Sequence, residues 1–129
     1  MATWDDVRRL ASSLPEMTER ISRDTVQWQI RNKLVAWERP LRRADIEALG
    51  ASAPDGDVLG VRVPDLGAKQ AWLASDPAVF FTTPHFDGHP SVLVQLDRIG
   101  VDDLEELMTD AWLDRAPKRL AAQYLSQRD

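Results

Sequence analysis

The residues best equipped for chemistry are His85, Asp87 and His89, an H-x-D-x-H run whose three side-chain types all ligate Zn²⁺ or other divalent cations. Their spacing argues against a metal. Asp87-Gly88 is a turn dipeptide that reverses the chain between the two imidazoles, whereas histidines four apart share a face only on a helix. The run therefore reads as a turn carrying two polar rings, and neither a metal nor a cofactor is expected. A nucleophile is missing as well. Thr82, Thr83 and Ser91 lie close by but without a G-x-S-x-G elbow, the chain has no cysteine, and neither a Walker A run nor a dinucleotide fingerprint occurs. The acid pairs Asp102-Asp103 and Glu105-Glu106 are helix neighbours pointing in different directions, which suits a solvated face better than a general acid and base. With these parts absent, the expectation is a binding protein and not an enzyme.

Charge is the next candidate for function. The formal net charge of -5 disfavours a generic polyanion binder, yet the charges are unevenly distributed along the chain. Arg31, Lys33, Arg39, Arg42 and Arg43 face a single acid, Glu38, within thirteen residues; seven acids lie between Asp97 and Asp114 against Arg98 alone; and bases again prevail from Arg115 onward. A fold that sorts these segments apart would give an acidic protein one basic face. Packing gives no reason for the Arg31–Lys33 cations if they sit at a hairpin tip, where they would meet phosphates. Of the five tryptophans, most fall on apolar stripes and are expected in the core, so they do not read as a base-stacking platform.

The elements that must position these residues follow from periodicity. Thr3 to Leu14 reads as a helix, with Thr3 and Asp6 as a capping box, a stripe of Trp4, Val7, Leu10, Ala11 and Leu14, and Pro15 as its stop. The polar segment PEMTERISRD reads as a connection. Asp24 to Glu38 reads as a hairpin with Asn32-Lys33 at its tip, placing Val26, Trp28, Ile30, Val35 and Trp37 on one side. Arg39 to Asp57 is an excursion containing a short helix, Arg43 to Leu49, with Ile46 and Leu49 inward and Gly50 as its stop. Val58 to Val63 reads as a strand and Leu66 to Ser75 as a helix. Pro77 to Asp97 reads as a second hairpin tipped by Asp87-Gly88, with Val79, Phe81, Val92, Val94 and Leu96 sharing a face. Val101 to Arg115 is a helix lined by Leu104, Leu107, Met108, Ala111 and Trp112, its early acids suited to the positive end of the helix dipole, and a terminal helix runs from Lys118 to Gln127. Two hairpins plus a further strand, covered by helices, make an α+β domain with a mainly antiparallel sheet. A length of 129 residues suits one domain. The acidic start of MATWDDVRRL does not resemble a signal peptide, no apolar run is long enough to cross a membrane, and a cytoplasmic location is expected.

Ser13-Leu14-Pro15-Glu16, the segment PAVFFTTPHFDGHPSVLVQLD from Pro77, and TDAWLDRAPKRL from Thr109 together resemble the MmcQ/YjbR family of small bacterial proteins. The resemblance covers nearly the whole chain. It implies a CyaY-like α+β fold, an antiparallel sheet covered on one side by helices, and DNA binding through a double wing. On this chain the wings would be the hairpin tipped by Arg31, Asn32 and Lys33 and the loop holding His85, Phe86, Asp87, Gly88 and His89, with Lys118 and Arg119 on the C-terminal basic motif. The expected contacts to duplex DNA are then Arg31, Lys33, Arg39, Arg42, Arg43, His85, His89, Lys118 and Arg119. The alternative expectation is an adaptor for a protein or small ligand, using the mixed sheet surface of Gln27, Gln29, Arg31, Leu34, Leu93 and Gln95.

Overall fold

The computed structural model describes residues 1–127. Among the described residues, six strands form one antiparallel sheet: β1 (Met17–Ser22), β2 (Thr25–Ile30), β3 (Lys33–Glu38), β4 (Val58–Arg62), β5 (Phe80–Phe81) and β6 (Ser91–Gln95), in the spatial order β1-β2-β3-β4-β6-β5. Five helices accompany them: α1 (Trp4–Ser13), α2 (Arg43–Leu49), α3 (Leu66–Ser75), α4 (Val101–Arg115) and α5 (Lys118–Gln127). The fold is α+β, as the hairpins and helical stripes imply.

One face of the sheet carries the main core. Trp28, Ile30, Val35, Leu59, Val61, Val92 and Val94 pack there against α1 and α4, whose Val7, Leu10, Leu104, Leu107, Met108 and Trp112 are all buried. Each such side chain withdrawn from water contributes roughly 1.5–3 kcal/mol, which is why the stripe of α4 can specify its orientation. Trp112 also donates its indole N–H to the Pro15 carbonyl at 3.0 Å, tying the end of α4 to the end of α1.

Four local expectations are corrected. The segment after Pro15 is not a connection but the edge strand β1, paired with β2 from Met17↔Ile30 to Ser22↔Thr25. Its middle residues are exposed and charged, so it lacks the apolar alternation that reveals a strand, and it turns into β2 on Arg23 and Asp24, at φ 51 and 66, without a glycine. Charge on an edge strand guards against pairing with other chains.

In the next hairpin the turn sits at Arg31-Asn32, at φ 48 and 68, one residue earlier than Asn32-Lys33. Val35 is an extra residue between the pairs Gln29↔Leu34 and Trp28↔Ala36, so Trp37 pairs with Gln27 and leaves Trp28 for the opposite face. Trp37 lies over Gly60, where a Cβ would overlap the indole ring.

The central hairpin is also displaced by one residue. Phe80 pairs with Val94 and faces the core, whereas Phe81 pairs with Leu93 on the second face. Instead of a tight Asp-Gly hairpin, residues 82–90 make a wide connection with a 3₁₀ turn at Pro84–Phe86, and Gly88 takes φ 73. In α2, finally, Ile46 is 49% exposed and the inward residue is Asp45.

Candidate nucleic-acid interface

Strand direction divides the basic residues between the two ends of the sheet. Lys33 opens β3 and Glu38 closes it, so Arg31 and Lys33 stand about 17 Å from Arg39 and the residues after it, at roughly 3.4 Å per residue. The end holding the Arg31-Asn32 turn also receives the start of β6 and the last residue of β4, since Arg62 pairs with Ser91. It receives the end of α4 too, through the bond from Trp112 to Pro15, two residues before β1. Arg115 and the first residues of α5, Lys118 and Arg119, follow directly. This turn end therefore gathers Arg31, Lys33, Arg62, Arg115, Lys118 and Arg119.

Their states differ. Arg31 makes a bidentate pair with Glu16, at 2.9 and 3.2 Å, and that partner holds its pKa up while holding the Glu16 carboxyl below its ordinary value. Lys33, Lys118 and Arg119 are exposed, and among the described residues none has an ion pair. Arg62 and Arg115 are half-buried, and the Nε of each is buried without a hydrogen-bond partner. Burial lowers the Arg62 pKa, the Arg115 charge lowers it further, and Asp114 opposes them. A buried Nε–H donor without a partner is destabilising, and so is the repulsion between the two guanidinium groups; an anion beside them would offset the repulsion.

The other expected contacts lie elsewhere. Arg39 is corrected from a surface cation to a buried one: it is 6% exposed, pairs with Asp45 at 3.0 Å, and stands 5.2 Å over the Phe86 ring. Burial pushes the Asp45 pKa up, but the Arg42 backbone N–H at 2.8 Å and the Arg39 charge outweigh it, and the net shift is downward. Arg43 pairs with Glu47 at 3.2 Å on the exposed side of α2, and Arg42 is exposed at the start of that helix.

The second expected wing does not project. It leaves the turn end but lies back along the second face of the sheet, where Phe86 is buried among Val58, Leu93, Trp37, Leu41 and Phe81. Lys69 of α3 pins it there, its buried ammonium donating to the carbonyls of Phe86 at 2.7 Å and His89 at 2.9 Å. Burial lowers the Lys69 pKa. His85 and His89 flank Phe86 edge-on, with ring centroids 4.8 and 5.9 Å away, and His89 Nδ1 lies 2.9 Å from the Ser91 hydroxyl. Burial first, then the charges of Arg62, Lys69 and His85, lowers the His89 pKa.

Sequence reasoning missed Glu16, Arg62 and Arg115. Glu16 was findable, because it precedes Met17 in β1 just as Arg31 follows Met17's partner Ile30; the strand had first to be recognised.

The YjbR family model matches residues 12–113. The chain belongs to the YjbR family. Uncharacterised proteins of Mycobacterium tuberculosis and Mycobacterium bovis are each 54% identical to it over 129 residues, covering 98% of both chains. The crystal structure of a Deinococcus radiodurans protein with a DUF419 domain superposes with a TM-score of 0.65 at 22% identity, over 88% of this chain and 78% of that one. At that identity the likeness speaks for the YjbR fold alone. No helix among the described residues of this YjbR protein is long and apolar enough to cross a membrane.

Proposed function

We propose that the chain is a non-enzymatic, cytoplasmic DNA-binding protein that meets duplex phosphates with the turn end of its sheet. Lys33, Lys118 and Arg119 are the outer contacts, and Arg62 and Arg115 lie behind them. The observation that carries this reading is the pair Lys118 and Arg119 in the first turn of α5, which follows the end of α4 at the same end of the sheet as the hairpin turn. That turn contains no acid, and the helix dipole disfavours cations there, so local structure offers no reason for two of them. The first wing survives in this reading as the Arg31–Lys33 turn. The second contributes through the connection's base and not through a projecting tip.

Fluorescence anisotropy with a labelled duplex tests it. Three to five phosphate contacts at about -0.9 each give a slope of log K against log salt of roughly -3 to -4.5. The triple variant Lys33→Glu, Lys118→Glu, Arg119→Glu is expected to lose most of the affinity while keeping its fold, since all three side chains are exposed. Salt-independent binding, or a triple variant that binds like the parent, would remove the proposal.

A further inference from the structure

The second face of the sheet holds a groove that the DNA reading does not use. It runs between the β2–β3 hairpin and the Pro84–Phe86 turn and encloses about 580 Å³, within the range of roughly 300–1,000 Å³ typical of small-ligand sites. Trp37 and Leu34 contribute from the strand side, and Phe86 and Leu41 from the covering segments. The half-buried indole of Trp37 lies against the sheet because Gly60 beneath it has no side chain. Both covering segments are fixed by buried polar contacts: Lys69 holds the Phe86 carbonyl, and Asp45 holds Arg39 against the Phe86 ring. A surface held in place before a ligand arrives loses little entropy when it binds.

The charge at the rim is one-sided. Arg23 and Arg42 line the groove, are exposed, and among the described residues have no carboxylate partner. The one acid lining it, Glu38, already accepts the Val26 backbone N–H at 3.1 Å. His85 stands at the same rim. Flat aromatic surface beside free guanidinium groups complements a planar ring bearing an anionic group.

We propose that this groove binds a small heteroaromatic anion, its ring against Trp37 and its phosphate or carboxylate between Arg23 and Arg42. The site is independent of the turn end.

Isothermal titration of the full chain with adenosine 5′-monophosphate, with adenosine, and with inorganic phosphate separates the two halves of the ligand. The nucleotide is expected to bind at least tenfold more tightly than either part. Arg23→Gln and Arg42→Gln, both at exposed positions, are each expected to weaken it about tenfold, and Lys33→Glu is expected to leave it unchanged. Indole-3-carboxylate, tested alongside, distinguishes a carboxylate-bearing ligand from a phosphate-bearing one, and binding of either through Arg23 and Arg42 supports the site. Failure of both ring anions to bind, equal binding of phosphate alone, or indifference to the two arginine variants would overturn it.

Discussion

The two ends of the sheet are built from the same elements and differ in charge because α1 and α4 run the same way. The Ala2 backbone N–H donates to the Leu96 carbonyl just before α1, and α4 begins shortly after Leu96–Arg98, so both helices start at the same end and finish at the other. Acids favour helix N-termini, and Asp5, Asp6, Asp102 and Asp103 occupy those first turns together. The turn end receives the C-termini of α1 and α4, with Arg115 in the last turn of α4, and the first residues of α5, Lys118 and Arg119. A net charge of -5 thus averages two unlike surfaces. They lie on the order of 17 Å apart along the strands, beyond the Debye length of about 8 Å at physiological salt, so the acidic first turns of α1 and α4 scarcely oppose an anion at the turn end.

Each end also has an arginine–carboxylate pair, and the two should fail differently. Arg39 and Asp45 are both buried, so Asp45→Ala leaves an unpaired charge inside and is expected to cost about 3–5 kcal/mol in urea unfolding. Arg31 and Glu16 are exposed, and Glu16→Ala is expected to leave the urea midpoint close to that of the parent. The pH dependence has a definite sign. The folded-state pKa of Asp45 is depressed, so its contribution is complete above the unfolded carboxylate pKa, near 4, and is lost as pH falls through the folded value.

Glu16→Gln sharpens the comparison on the binding side. It frees Arg31 without removing a cation, and is expected to tighten duplex binding and steepen the salt slope by up to about 0.9. Unchanged affinity would exclude Arg31 from the interface.

The smallest effect belongs to His89. Its folded pKa lies below its unfolded value, so its contribution is present above an unfolded pKa near 6.5 and declines as pH falls below it. His89→Gln is expected to flatten the change in Tm between pH 7.5 and 5; equal changes in parent and variant would show that the histidine is not the titrating group.

How much of this was legible in the sequence depended on where apolar residues could mark a face. The stripe of α4 and the alternation of β4 fixed their elements nearly to the residue. β1 was invisible because its exposed side chains carry no alternation, and the turns at Arg23-Asp24 and Arg31-Asn32 use left-handed non-glycine residues. The bulge at Val35 turned Trp37 away from the core face, an event encoded by one extra residue in a ladder that composition cannot reveal. Clustering of Arg31 to Arg43 suggested one patch, but an intervening six-residue strand carries its two halves to opposite ends. The grouping of Lys33 with Lys118 required the course of α4, fixed by contacts distant in sequence.

Amide chemical-shift mapping with a short duplex tests the sorting of charge by sheet end most directly. The expected perturbations fall on residues 31–33, Arg62, Arg115, Ala116, Lys118 and Arg119, with 102–106 at the start of α4 unmoved. Shifts concentrated around residues 39–43, or spread over both ends alike, would contradict it.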